Sequence, residues 1–116
     1  IKDSSNASII SGGKNTISIN SSYSTIIGGI YNTITNTAQF SSIIGGSGNT
    51  INSYDRSVIL GGSGLTSNYD EEVLVPNLTI ANYSSLNYAD DTAAAAGGII
   101  LGQVYHNNGA LRIRIV

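Results

Sequence analysis

The sequence predicts an all-β protein: a short trimeric β-roll, or β-solenoid, of ~17-residue coils, then a small C-terminal module with one short helix and a β-hairpin. Three observations carry this. An Ile-Ile-Gly-Gly block recurs in phase with an Asn-Thr-Ile block. The composition is rich in Ile, Ser, Thr, Asn and Gly, and poor in charge. The end of the chain combines an Asn-Asn-Gly turn with a cleanly alternating strand.

The repeat fixes the first element. Ile9-Ile10-Ser11-Gly12 aligns with Ile26-Ile27-Gly28-Gly29, Ile43-Ile44-Gly45-Gly46 and Ile59-Leu60-Gly61-Gly62, in steps of 17, 17 and 16 residues. Asn15-Thr16-Ile17, Asn32-Thr33-Ile34 and Asn49-Thr50-Ile51 keep the same phase. Leu65-Thr66-Ser67 stands at the fourth position, where the pattern decays. Each repeat reads as strand, Gly turn, strand and a polar loop that absorbs the length difference. That is too short for a propeller blade or a helix pair, but it suits one coil stacked on the next at roughly 4.8 Å. Asn15, Asn32 and Asn49 are expected to stack as a ladder.

Adjacent Ile residues of a strand point to opposite faces. One row fills the solenoid core. The other, Ile10, Ile27, Ile44 and Leu60, forms an apolar stripe that needs a cover. So few coils also bury little area by themselves. Both points favour a homotrimer that packs this row around an axis. A monomeric sandwich using both rows is the alternative.

The repeat region is assigned to residues 1–69. Residues 70–85, including Val73-Leu74-Val75-Pro76, read as an extended connector leaving the solenoid, with Pro76 at an edge or bend. Residues 86–116 read as a capping module. Asp90 or Asp91 caps a short helix through Ala93–Ala96, and Gly97 or Gly98 stops it. A hairpin turns at Asn107-Asn108-Gly109. Its last strand sets Leu111, Ile113 and Ile115 against Arg112 and Arg114, either of which is expected to pair with Asp90 or Asp91 of the same or a neighbouring chain.

Composition excludes several functions. With 10% charged residues and a net charge of −2, no basic face is available for nucleic acid or for anionic lipid. At 41% hydrophobic residues the chain is not of the disordered class. There is no Cys, and no apolar run approaches the roughly 20 residues of a membrane span. No secretory leader is visible, and the start at Ile1 is that of a processed or truncated chain.

No residue set points to catalysis, a cofactor or a metal. Asp70, Glu71 and Glu72 are adjacent, and a solvated loop is the expected reading. A glycosidase needs two carboxylates held across a cleft. Three such loops around a Ca²⁺ would lack the spacing of an EF-hand. His106, the only His, reads as a surface turn residue. Gly45-Gly46-Ser47-Gly48 and Gly61-Gly62-Ser63-Gly64 lack the Lys and the helix of a phosphate loop. Tyr31 and Tyr54 are the candidate surface-binding residues, because Tyr offers a rigid apolar face with a polar tip. Asn-x-Ser/Thr triplets at Asn6, Asn20, Asn77 and Asn82 are what chance supplies in a chain rich in these residues.

Two resemblances add to this. The Ser-x-Ile-Ile-Gly-Gly and Asn-Thr-Ile blocks, over about residues 7–67, resemble the head repeats of trimeric autotransporter adhesins, left-handed β-rolls wound by three identical chains. This sequence departs in its doubled Ile, where those heads often set Ala beside Ile, and in its failing fourth repeat. Tyr88-Ala89-Asp90-Asp91-Thr92-Ala93-Ala94-Ala95-Ala96-Gly97-Gly98, Gly102-Gln103-Val104-Tyr105 and the Arg112/Arg114 strand are similar to a C-terminal tail of bacteriophage tail fibres and other virion appendages. That resemblance covers about residues 86–116. Adhesins would continue into a stalk and membrane anchor, so the combination implies a homotrimeric virion fibre. Its expected location is the virion or extracellular space. Its expected partners are itself, other fibre proteins and a host surface glycan or protein. A cellular adhesin or filament head is the alternative, and a fibre-borne glycan depolymerase a weaker one.

Overall fold

The computed structural model describes residues 1–116. The chain forms two compact units, Ile1–Leu78 and Thr79–Val116. The first is a β-solenoid of about four turns, and the second holds a lone short helix and a hairpin. No helix is long and apolar enough to cross a membrane.

Each of the first three coils gives one short strand to each of two parallel sheets, and the later residues add two more strands to the first sheet only. One sheet runs β1 (Ser8–Ile10), β3 (Thr25–Ile27), β5 (Ser42–Ile44), β7 (Val58–Leu60) and β8 (Val73–Leu74). The other runs β2 (Thr16–Ile17), β4 (Thr33–Thr35) and β6 (Thr50–Asn52). The register is that of the repeat: Ile9 pairs with Ile26, Ile26 with Ile43 and Ile43 with Ile59. In the second sheet Ile17 pairs with Ile34, and Ile34 with Ile51.

Between the sheets lies a core dominated by Ile. Ile26, Ile43 and Ile59 from one sheet and Ile17, Ile34 and Ile51 from the other are fully buried. Burying each such side chain is worth about 1.5–3 kcal/mol. Ile9, Leu65 and Leu74 close the cluster as partly buried members. β-branched Ile suits these positions because its stiff χ1 packs well on a pleated surface.

Two inward polar columns lock the coils. The side-chain oxygen of Asn15 accepts the Asn32 N–H at 3.0 Å, and that of Asn32 accepts the Asn49 N–H at 3.0 Å. Each amide nitrogen donates upward to the Gly pair of the next coil, as Asn15 does to Gly28 and Gly29 at 3.1 Å. The ladder is therefore built from side-chain-to-backbone bonds. A second column, Ser24, Ser41 and Ser57, repeats the device. The Ser24 hydroxyl donates to the Ala38 carbonyl at 2.9 Å and accepts the Ser41 N–H at 3.0 Å. The Ser41 hydroxyl in turn accepts the Ser57 N–H at 3.1 Å. Such bonds satisfy polar backbone that would otherwise be buried unpaired at about 1–3 kcal/mol each.

The corners are made of left-handed residues stacked in columns. Ile19-Asn20 and Asn36-Thr37 both have positive φ, whereas Ser53 alone occupies this corner in the third coil. The shortening from 17 to 16 residues falls there, so the strands and both polar columns keep their register.

The segment expected to leave the solenoid stays in it at first. Val73 pairs with Val58 and Leu74 with Ile59, making β8 the last strand of the first sheet. The solenoid thus extends into the 70–85 range read as a connector, because Glu72 and the apolar pair after it still satisfy the pattern of inward and outward positions. Pro76 follows in a bend.

In the second unit, α1 (Asp91–Ala96) is capped by Asp90, whose carboxylate accepts the Ala93 N–H at 2.8 Å. β9 (Val104–Asn107) and β10 (Ala110–Ile113) form the hairpin. Asn108 and Gly109, with φ of 46° and 95°, make its primed turn. Ala94, Ile99 and Tyr105 form a small core with Leu86 and Tyr88 packed against it.

The two glycines of each Gly pair are not equivalent. A Cβ on Gly46 would run into the carbonyl of Gly62, whereas one on Gly45 would meet nothing within 4 Å. Gly46→Ala is therefore expected to cost upward of ~2 kcal/mol by forcing coils apart. Gly45→Ala should cost only about 1–2 kcal/mol, from its φ of 74°. Urea unfolding of both variants checks the difference. The buried Ser21 hydroxyl has no partner, and the next coil places Ala38 at the equivalent position. Ser21→Ala should raise stability by about 1 kcal/mol in the same assay.

Candidate functional site

Alternation along the first sheet decides what faces outward. Ile26, Ile43 and Ile59 turn in, so Ile27, Ile44 and Leu60 turn out, paired in register with Ile10. These four remain 41–55% exposed. On the same outer face Val58 pairs with Val73, which is 63% exposed, so the apolar surface widens toward the last coil. The row expected to pack between chains is thus a continuous apolar strip on one side of the solenoid. It carries no charged side chain, so nothing on it offers a catalytic or metal-binding group.

The corner beside this sheet carries a feature the sequence reading passed over. Tyr23 and Phe40 stack with ring centroids 5.0 Å apart and planes 2° apart, both more than half exposed. Their spacing of 17 residues was the available signal. One and two coils further on, the same corner holds Arg56 and Glu71, joined by an ion pair at 2.9 Å.

The two tyrosines singled out for surface binding part company. Tyr31 is exposed on a corner, where its hydroxyl accepts from the Lys14 ammonium at 2.9 Å. Tyr54 instead turns inward and packs against the Ile core. It occupies the position of Ser21 and Ala38, an inward column that sequence spacing alone did not reveal.

The three adjacent acids are not a free loop cluster. Asp70 accepts the Asp55 N–H at 2.8 Å, Glu71 pairs with Arg56, and Glu72 accepts the Asn68 N–H at 2.8 Å. Each is committed to closing the last coil.

His106 is buried, contrary to its expected place as a surface turn residue. Its ring stacks on Tyr83 with centroids 3.8 Å apart. Nδ1 accepts the Gly109 N–H at 3.2 Å, which leaves the proton on Nε2, 2.8 Å from the Tyr83 carbonyl. It braces the hairpin turn from beneath.

The second unit has a shallow cavity of about 430 Å³ between the start of α1 and the last strand. Asp91 sits in its wall. Its carboxylate accepts the Tyr105 hydroxyl and the N–H groups of Ile115 and Val116, at 2.7 and 3.1 Å. Within the chain neither Arg112 nor Arg114 forms the expected ion pair with Asp90 or Asp91. Arg114 donates instead to the carbonyls of Ile99 and Val116, at 2.7 and 2.8 Å. β10 ends at Ile113, so the expected alternation holds for Leu111 and Ile113, while Ile115 lies beyond the strand; the three are 56–78% exposed, a second uncovered apolar surface.

No known protein family, curated protein or solved structure matches the chain. The likeness to autotransporter heads and to phage fibre tails therefore rests on the motifs themselves.

The Asp91 contacts make a pH prediction. The Tyr105 hydroxyl, then the Ile115 N–H, hold the Asp91 carboxyl below its ordinary value. A lowered native value adds stability that is present at neutral pH. That stability declines as pH falls through the usual aspartate range near ~4 and is lost below the lowered value. The same bond, with Asp91 as acceptor, raises the Tyr105 phenol, so its contribution fades as pH rises past the ordinary tyrosine range. Loss of Tyr105 near-ultraviolet dichroism on acidification should begin at higher pH than unfolding of the solenoid. Asp91→Asn should already show that loss at neutral pH.

Proposed function

We propose that this chain is a structural subunit of a homotrimeric extracellular fibre, of the phage tail-fibre or virion-appendage type, with the outer face of its first sheet as the contact between sister chains. The observation that carries the reading is the exposed, uncharged row Ile10, Ile27, Ile44 and Leu60. A contiguous apolar strip on a small protein marks a contact surface. Because the row runs along the coil axis, three parallel chains related by a threefold axis present the same residue at each level. The likeness to trimeric adhesin heads favours three chains over two. The uncovered face of Leu111, Ile113 and Ile115 offers a second place for sister chains to meet. Recognition of a host surface glycan or protein falls to groups at the corners, Tyr31 and the Tyr23–Phe40 stack, which lie outside the strip.

Native mass spectrometry and light scattering test this. A trimer is expected at micromolar concentration, and a stable folded monomer would overturn the reading. Ile27→Asp puts an unpaired charge into the contact, at a cost of several kcal/mol per trimer. It should yield monomer or aggregate. A variant that keeps the trimer mass and the wild-type melting temperature would move the contact elsewhere.

A further inference from the structure

The second sheet faces the other way from the apolar strip, because Ile17, Ile34 and Ile51 turn into the shared core. Its outward positions are Thr16 and Ser18, Thr33 and Thr35, Thr50 and Asn52, with Thr66 bridged to Thr50 above them. One column is therefore Thr at all four levels. The other is Ser18, Thr35 and Asn52, with a direct contact of 3.2 Å between the Ser18 and Thr35 hydroxyls. From Thr16 upward this face bears no charge. Lys2, bridged to Ser18, lies below its lower end, and the nearest corner ammonium, that of Lys14, is held by Tyr31.

We propose that this face binds the surface of ice. Three physical points meet here. The coils are in register, so the methyl and hydroxyl groups of Thr16, Thr33, Thr50 and Thr66 repeat at roughly 4.8 Å up one column, with the neutral polar side chains of Ser18, Thr35 and Asn52 about 6.6–6.8 Å across from it. The repeat up the Thr column is close to an oxygen–oxygen repeat of the ice lattice. The array is rigid, since the isoleucines beneath it are fully buried and the neighbouring Asn ladder locks each coil to the next. The hydroxyls of Thr16, Thr33, Thr50 and Thr66 are not used by protein partners, so they are free to hold water, while the Thr methyls favour a water layer already ordered around them. A neutral face also matches a neutral lattice. A neutral glycan is the competing partner, but glycans take aromatic platforms, and no aromatic side chain projects from this sheet. The inference uses the geometry of one chain and does not depend on the trimer.

Ice recrystallisation and crystal shape, followed with the folded protein at micromolar concentrations, test the proposal. Wild type should slow recrystallisation and facet growing crystals. Thr33→Lys and Thr50→Lys each set a strongly hydrated ammonium in the plane. Each should lower activity by about tenfold or more, with circular dichroism and native mass unchanged. Ser63→Lys makes the same charge change at an exposed position off this face and should leave activity intact. Folded wild type without effect on ice, or full activity in both Thr variants, overturns the proposal. So does retention on a neutral polysaccharide that the Thr variants lose while ice is unaffected. Should the Thr variants misfold, Thr33→Val and Thr50→Val keep the shape and give the same reading.

Discussion

The stacking of coils without lateral offset is the constraint on which the solenoid depends. It is enforced most tightly at the Gly-Asn corner of each turn. Gly29 and Gly46 bring consecutive backbones so close that no Cβ fits, and Asn32 and Asn49 fill the space beside them with amides bonded to the next coil through both oxygen and nitrogen. A coil slipped by one residue would lose the Asn bonds and turn an Ile row out of the core, so the alternatives lie far above the native register. The first glycine of each pair has a different task. It supplies a left-handed corner, and in the first coil Ser11 performs that task at a φ of 59°.

Fixed register turns each column of the repeat into a face. Every residue choice is copied, with variations, at the levels above and below it. The inward Ile columns become a dry core, and the Ser and Asn columns become internal locks. The outward Ile row becomes an apolar strip, and the outward Thr column a hydroxyl array. Since the two sheets share one core, the strip and the array point away from each other. A subunit built this way can bury one face against sister chains and keep the other in water. Neither surface needs a pocket, which fits a protein whose Asp70, Glu71, Glu72 and single histidine are tied into structural hydrogen bonds.

Much of this was legible in the sequence because a parallel solenoid converts spacing into contact. The repeat predicted the pairing of Ile9 with Ile26 and of Ile26 with Ile43, the Asn ladder and the exposed second Ile row. The hairpin turn and the Asp90 cap were legible from local chemistry. The missed features are those in which one residue type can face either way. Tyr54 reads as a loop tyrosine until its register with Ser21 and Ala38 shows it to be inward. The Ser24, Ser41 and Ser57 column was visible in phase, but Ser is so frequent here that its repetition carried little weight. His106 was placed on the surface by its nearness to a turn. Its burial follows from the packing of Tyr83, distant in sequence and joined to it only by the fold. The extra strand at Val73–Leu74 was hidden because the shortened last coils break the count by which repeats are recognised.

The decay of the repeat is itself a structural device. At the top of the stack the Asn, Ser and second-sheet Ile columns each end in a residue that cannot propagate them. Leu65 stands where Asn15, Asn32 and Asn49 stood. Its N–H is received by Asn49 at 3.0 Å, but its side chain has no amide to hand on to a further coil. Ser67 follows the Ile17, Ile34 and Ile51 column and leaves a buried hydroxyl without a partner. Glu72 ends the Ser column: its N–H reaches Ser57 at 3.4 Å, and its carboxylate turns back to the Asn68 N–H. At the adjoining corner the aromatic stack of Tyr23 and Phe40 gives way to the Arg56–Glu71 ion pair, which keeps that end hydrated. An open parallel edge is a template for further strands, and proteins blunt such edges with short strands and charge. Here a two-residue last strand, a missing amide and a carboxylate do so together. A further coil laid on top would find no Asn acceptor, no Ile on the second-sheet column and no Ser-column hydroxyl to receive its backbone, so side-chain chemistry ends the stack.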